Sequence, residues 1–366
     1  RLGCLPPHPA DLIAEAVELA ARSDAVVIVA GLTPDWESEG FDRLDMRLPG
    51  EQDELIRRVA EVNPRTVVVL NCGSPVEMPW LNQVNAVVQL WYAGQEQGNA
   101  LADILFGDIS PSGKLPTTFP RRLADNPAFI NYPGENGKVL YGEGLFIGYR
   151  YYDFTESEVL FPFGHGLSYT RFEYSDLQIT PPEFQDGEEV EVAFRITNCG
   201  EMAGMETAQI YVRDVHCRLA RPPKELKGFV KVDLQPGESR TVRVRLNREA
   251  FWFYDPAKPG WDSESGLFEI LVGASSRDIR LSGSVRLLPS GAQTTGSWGA
   301  HSRLGEVLAD EQAAAVLRRF FGGQVDSPQV QSLLNLTLEE IALRFPQMAP
   351  PAVLAAVGEE LKHLPR

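Results

Sequence analysis

Ala25-Val26-Val27-Ile28-Val29-Ala30 leads into Asp35-Trp36-Glu37-Ser38-Glu39-Gly40-Phe41-Asp42-Arg43, and an amphipathic helical pattern follows over about residues 51–62. An unbroken β-branched run of this kind reads as a buried strand, and its neighbours extend the theme. Apolar strands at 25–30, 66–70 and 86–90 alternate with helical patterns at 11–22, 51–62 and 95–106. That alternation predicts a mainly parallel sheet between helices. In open α/β sheets, ligands gather just past the C-terminal ends of the strands, which is where the acidic loop falls. Carboxylates at Asp35, Glu37, Glu39 and Asp42 beside Trp36 fit a proton donor. A solvated surface loop fits equally well by spacing alone.

The character of the chain changes further on. Residues 190–197, 207–213, 241–246 and 267–272 alternate apolar with polar side chains, and Pro236-Gly237 and Pro259-Gly260 supply turns between them. This predicts an antiparallel β-sandwich of fibronectin type III-like kind. After Pro289 a Ser/Gly/Thr-rich stretch at 290–299 reads as a linker. Helical patterns follow at 302–308, 311–321, 328–333, 338–344 and 350–364, with Asp310, Ser327 and Thr337 as N-caps. Thr337-Leu338-Glu339-Glu340 is a capping box. Asn335-Leu336-Thr337 also fits a glycosylation sequon, but it overlaps that cap. The expected organisation is an α/β sandwich at 1–170, the β-sandwich at 171–289, and a linker with helical tail at 290–366.

Composition bounds the function. Fifty acidic against 34 basic residues give a net charge of −16, which argues against nucleic acid, whose phosphates call for a basic surface. A neutral substrate suits this charge. No apolar run approaches the ~20 residues of a membrane-spanning helix. Cys4, Cys72, Cys199 and Cys217 form no CxxC pair, and with five histidines no zinc pattern emerges. A Cys199–Cys217 bridge is conceivable, with thiols the simpler reading. The compartment stays open among cytoplasm, periplasm and exterior.

The loop resembles the acid/base loop of glycoside hydrolase family 3 β-glucosidases, where a Glu-Gly-(Tyr/Phe)-Asp-Arg run carries the catalytic acid. Further segments resemble the family in order: Gly73-Ser74-Pro75-Val76-Glu77-Met78-Pro79-Trp80, Trp91-Tyr92-Ala93-Gly94-Gln95-Glu96-Gln97-Gly98, and Gly107-Asp108-Ile109-Ser110-Pro111-Ser112-Gly113-Lys114-Leu115-Pro116. Tyr149-Arg150-Tyr151-Tyr152 and Phe161-Pro162-Phe163-Gly164-His165-Gly166-Leu167-Ser168-Tyr169 follow. Lys224-Glu225-Leu226-Lys227-Gly228-Phe229 and Val272-Gly273-Ala274-Ser275 continue it into the sandwich, so the resemblance covers about residues 10–290. It implies a retaining exo-β-glucosidase acting on terminal non-reducing β-D-glucosyl residues of cello-oligosaccharides and β-glucosides, with no cofactor and no metal. A β-xylosidase or broader exo-β-glycosidase is the alternative within the class, and a catalytically silent carbohydrate-binding or assembly module the alternative outside it.

The resemblance places the general acid/base at Glu39, with Glu37 as the alternative, since alternate residues of an extended segment point to one side. Trp36 either walls the substrate site or anchors the loop. Asp42 and Arg43 are expected to fix the loop by ion pairing. The family's nucleophile, an Asp in a Ser-Asp-Trp-type segment on an N-terminal (β/α)8 barrel, has no counterpart here. A barrel needs roughly 250 residues, so the expected partner is a barrel domain or chain carrying that Asp, and this chain alone is expected to be catalytically incomplete.

Other residues read as structural. His165 belongs to the segment joining the two sandwiches, and Trp91-Tyr92 sits at a strand end. Ser74 lies in no G-x-S-x-G elbow. Tyr149, Tyr151, Tyr152 and Phe154 form an inter-domain core. The tail carries apolar residues at helical spacing, Leu304, Val307, Leu308, Val316, Leu317, Phe320, Phe321, Leu338, Ile341, Ala342 and Phe345. About 65 residues seldom build a sufficient core alone, so these faces are expected to be covered either by the rest of the same subunit or by a second one, most simply in a homodimer through the tail.

Overall fold

The computed structural model describes residues 11–257, 259–289, 298–300, 302–327, 330, 333–334, 336–347 and 349–364. Cys4 and most of the 290–299 linker lie outside the described residues, as do Asn335 of the sequon and much of the 328–333 helical pattern.

The first layer is a parallel sheet in the order β1 (Val26–Gly31), β2 (Thr66–Asn71) and β3 (Ala86–Gln89). β2 lies between its neighbours, and Val68, Val69 and Leu70 are fully buried. Helix α1 (Leu12–Ala21) opens on Asp11, whose side chain accepts from the Ala14 amide at 2.9 Å. Its C-terminal turn is pinned to α2 (Gln52–Val62), where the Asn63 side-chain amide donates to the carbonyls of Ala20 and Ser23. Ile56 and Val59 of α2 meet Ile28, Ala30, Val68 and Leu70 in one core. The sheet is less evenly covered than the apolar run of β1 implies, since Val27 and Val29 are 48% and 63% exposed. Helix α3 (Gln97–Phe106) buries none of its residues.

A short helix, α4 (Tyr149–Phe154), leads to the β-sandwich. One sheet is formed by the strands at Glu225–Leu234, Gly204–Asp214, Gly266–Gly273, Ile279–Leu287 and Glu183–Phe184, and the other by those at Ser239–Leu246, Val190–Asn198 and Phe172–Thr180. Their inner faces pack Phe184, Val192, Phe194, Ile196, Ile210, Phe251, Phe268 and Ile270 into one core. The α/β layer and the sandwich form one compact unit. Tyr149 stacks on Phe163 and meets Tyr211 edge-on, and its hydroxyl accepts from the Leu226 amide. Asp153 takes Lys224 at 2.7 Å and Arg277 at 2.9 Å, while Lys114 reaches the buried Glu206 at 3.1 Å. Tyr149 and Tyr151 are half-buried and Tyr152 is buried, whereas Phe154 is exposed, so only part of the expected aromatic core forms. Cys199 is a thiol, its sulfur donating to Glu173, so the Cys199–Cys217 bridge does not form.

The second unit comprises residues 216–219 and 288–366. Its helices Leu304–Ala309, Glu311–Phe321, Leu338–Arg344 and Pro351–Leu361 bury Val307, Leu317, Leu338, Ile341, Leu354, Val357 and Leu361 against one another. The Asp310 cap and the Thr337–Glu340 capping box form as read. The expectation of outside cover is corrected here. Leu304, Val307, Leu308, Val316, Leu317, Phe320, Phe321, Leu338, Ile341 and Ala342 belong to the unit's own core. Several short helices joined by turns can bring their apolar stripes inward together.

Candidate active site

The acidic loop departs from β1 under tight backbone control. A Cβ on Gly31 would stand 2.1 Å from the Asn71 carbonyl oxygen, so only glycine lets β1 pass β2 this closely. Gln52, at the start of α2, clamps the same point: its side chain accepts from the Gly31 amide at 2.8 Å and donates to the Gly31 carbonyl at 3.0 Å. Two residues on, the Thr33 carbonyl accepts from the amides of both Trp36 and Glu37, forming a turn that sends the Glu37 side chain back toward the sheet.

Glu37 is held by three donors from two other strand ends. Its carboxylate accepts from the Gly73 amide at 2.7 Å, from the Tyr92 hydroxyl at 2.6 Å and from the Ser74 hydroxyl. Burial pushes its pKa up, but the bonds from Ser74, Tyr92 and Gly73 and the charge of Arg43 together outweigh it and hold the group below its ordinary value. Burial, reinforced by the bond to Glu37, pushes the Tyr92 hydroxyl up to about 12. Arg43 braces the other side, donating to the Ser74 hydroxyl at 2.9 Å and to the Pro75 carbonyl at 3.2 Å. Tyr92 in turn follows Trp91, which adopts the left-handed backbone region at φ 58° and packs edge-on against Phe119.

Glu39 differs from Glu37 in every respect. It lies on the short turn closed by the Ser38–Phe41 bridge, is exposed, and makes no hydrogen bond or ion pair among the described residues. The two acids do not point to one side as expected, because the chain turns at 33–37 instead of running extended. Trp36 and Phe41 are exposed beside Glu39. Asp42 and Arg43 both fix the loop, though not by pairing with each other: Asp42 accepts from the Tyr132 hydroxyl, and Arg43 holds the Ser74 turn. Ser74, Tyr92 and Tyr132 are thus members of the site that sequence reasoning missed. Ser74 and Tyr92 stand inside segments it had singled out, but Tyr132 carried no signal at all.

The remaining candidate is structural. His165 stacks on Phe161 and its backbone carbonyl accepts from Leu115, while burial pushes its imidazole pKa down. Of the loop's four carboxylates, Glu37 is locked by three donors and Asp42 is held by Tyr132, while Asp35 and Glu39 are exposed to whatever approaches.

Residues 10–169 match the glycosyl hydrolase family 3 C-terminal domain, and residues 206–276 a fibronectin type III-like domain. Thermostable beta-glucosidase B of Acetivibrio thermocellus is 50% identical over 339 residues, which cover 91% of this chain and 45% of that protein. The crystal structure of the Bifidobacterium adolescentis GH3 beta-glucosidase superposes with a TM-score of 0.78 at 40% identity, covering 85% of this chain and 46% of that one. The beta-glucosidase of Kluyveromyces marxianus, solved in complex with glucose, gives a TM-score of 0.72 at 44% identity over 76% of this chain and 33% of its own. The chain thus spans between a third and just under half the length of these relatives.

Proposed function

The chain carries the C-terminal domain of glycosyl hydrolase family 3 followed by its fibronectin type III-like domain, and from that premise we propose that it supplies the general acid/base of a retaining exo-β-glucosidase, through Glu39. Retaining hydrolysis needs two carboxyl groups ≈ 5–5.5 Å apart, one attacking the anomeric carbon and the other protonating the departing oxygen and then deprotonating water. Here the nucleophile, an Asp, comes from a (β/α)8 barrel outside these residues. The substrates are terminal non-reducing β-D-glucosyl residues of cello-oligosaccharides and β-glucosides, and exposed Trp36 is placed to flank the leaving group.

The observation that carries the assignment is the contrast within one loop. Glu37 has its oxygens occupied by Gly73, Ser74 and Tyr92, so both are turned to donors of its own loop and strand ends and not to an incoming substrate. Glu39 is exposed and committed to no partner among the described residues. A donor must be free to meet a glycosidic oxygen arriving from another domain.

The test uses the complete enzyme. Glu39→Ala should lower hydrolysis of cellobiose by about 10²–10⁴-fold, the usual weight of a general acid/base. An activated aryl glucoside, whose leaving group departs unprotonated, should still be consumed in the first step. Azide, which needs no deprotonation, should then restore turnover and give a β-glycosyl azide. Unchanged cellobiose hydrolysis would remove Glu39 from the chemistry.

A further inference from the structure

On the sandwich, residues 252–262 form a small hairpin whose two faces differ in character. Its strands, Phe253–Asp255 and Gly260–Asp262, pair antiparallel with Tyr254 opposite Trp261. Phe253 and Asp255 turn inward, at 5% and 1% exposure. Alternation turns Tyr254, and with it Trp252 and the cross-strand partner Trp261, to the other face, where Tyr254 is 50% and Trp261 64% exposed. Trp252 lies nearly parallel to Trp261, at 22° with ring centroids 6.4 Å apart, and Tyr254 meets Trp261 edge-on at 5.8 Å. Arg248 sits over the Trp252 ring at 4.6 Å and is fixed by two bonds to Asp186 at 2.9 and 2.7 Å.

A cross-strand aromatic pair stabilises a hairpin whether or not anything binds it. Stabilisation alone is best served by covering the rings, yet the indole of Trp261 stands mostly in water. Its frame is ordered: the Asp255 side chain accepts from the Ala257 amide at 2.9 Å, and Arg221 donates to the Trp252 carbonyl at 3.2 Å while lying 5.7 Å from the centre of the Phe253 ring. Rings already held in place lose little freedom when a ligand arrives. Area and composition then select the occupant. The two open rings offer roughly 250 Å², far below the ~800 Å² per partner that a stable protein interface buries. Residues 248–264 contain no Val, Leu, Ile or Met. The surface is flat rings with a polar rim of Asp186, Arg248, Asp262 and the Tyr254 hydroxyl.

A β-linked glucosyl ring matches that surface. All its ring substituents are equatorial, so each face shows only C–H groups to an aromatic ring, while the hydroxyls point outward to a polar rim. We propose that Trp252, Tyr254 and Trp261 bind the sugar rings of a neutral β-1,4-glucan chain, with Trp261 supplying the stacking face. The choice of a β-glucan rests on the function proposed above. A neutral chain meets no repulsion from a protein of net charge −16, as an acidic polysaccharide would. Binding there keeps the enzyme on a polymer while the chain ends are trimmed.

The experiment is affinity electrophoresis of the complete enzyme in native gels containing hydroxyethylcellulose, a soluble neutral β-1,4-glucan. The wild type should be retarded, and Trp261→Ala should need about tenfold more polymer for the same retardation, as for loss of one stacked ring, with hydrolysis of an aryl β-glucoside within about twofold of wild type. Trp261→Phe should keep most of the retardation and Trp261→Leu should lose it, because a flat ring stacks on a sugar whereas Leu only restores apolar cover to the hairpin. No retardation of the wild type, or equal retardation of the Phe and Leu variants, overturns the proposal. So does a changed oligomeric mass of Trp261→Ala by light scattering with its retardation intact, which assigns the rings to a protein contact. Glu39→Ala separates the two ideas: if it is fully active the proposed function falls whatever the gels show, whereas essential Glu39 with an unretarded wild type removes only the glucan platform.

Discussion

Replacing Glu37 by Ala tests the division of labour within the loop. The carboxylate accepts three hydrogen bonds, from the Gly73 amide, the Ser74 hydroxyl and the Tyr92 hydroxyl. Bonds to a charged group contribute about 1.5–3 kcal/mol each in net terms. Glu37 is only partly buried, so water replaces much of what is lost, and roughly 2–3 kcal/mol for the whole cluster is the reasonable sum after screening. The loss should appear as local opening, because the loop can detach while the sheet beneath it stays intact. At 1.4 kcal/mol per tenfold change, the Gly73 amide should exchange about 30- to 140-fold faster in Glu37→Ala, measured by residue-resolved hydrogen exchange. Glu37→Gln should fall between, since the amide keeps one acceptor oxygen and turns its NH₂ toward a donor. In the complete enzyme, Glu37→Ala should slow good and poor leaving groups alike, with no rescue by azide. Unchanged Gly73 protection would refute the anchor. A loss confined to poor leaving groups and rescued by azide would transfer the acid/base role from Glu39 to Glu37.

Because the Glu37 pKa is lowered on folding, its cluster stabilises the loop above the ordinary value of 4.5 and weakens as pH falls from there through the folded value; the Gly73 amide shift followed by NMR should titrate with a midpoint below 4.5, and one at or above it would contradict the network. Gly31→Ala should cost about 3 kcal/mol or more, since its Cβ meets backbone and not a movable side chain; a melting temperature within a degree of wild type would mean β1 and β2 separate easily. Truncation after Pro289 addresses the homodimer expected through the tail: light scattering of the complete enzyme should show reduced oligomeric mass if the tail holds the interface, and unchanged mass removes it from that role.

The parallel layer was legible because its strands are short apolar runs, and each was read to within one residue at either end: β2 at 66–70 runs to Asn71, and β3 at 86–90 stops at Gln89. In the sandwich the strands with clean alternation were read, and four were not, among them Glu183–Phe184, whose two residues are too short to show a period. Phe172–Thr180 breaks its period where Asp176 takes φ 55° and the register shifts between Ser175 and Gln178. Glu225–Leu234 slips between Leu226 and Gly228. Ile279–Leu287 contains Ser282-Gly283-Ser284, which reads as a turn, yet Gly283 sits mid-strand, paired with Ile270 and facing the end of the Ile179 side chain. Glu39 was reached through the resemblance of its motif. The role of Glu37 was not legible at any level, because its partners stand 36, 37 and 55 residues away and only the sheet brings their strand ends together. The helical tail was misjudged for a related reason: periodicity marks an apolar face but cannot say which other face it meets.

That tail has a bearing on how such a protein changes over generations. The residues of its core and those of the sandwich core are separate sets. A substitution in one set therefore changes no residue of the other core. The helices can diverge at their own pace while the sandwich strands stay under a different selection.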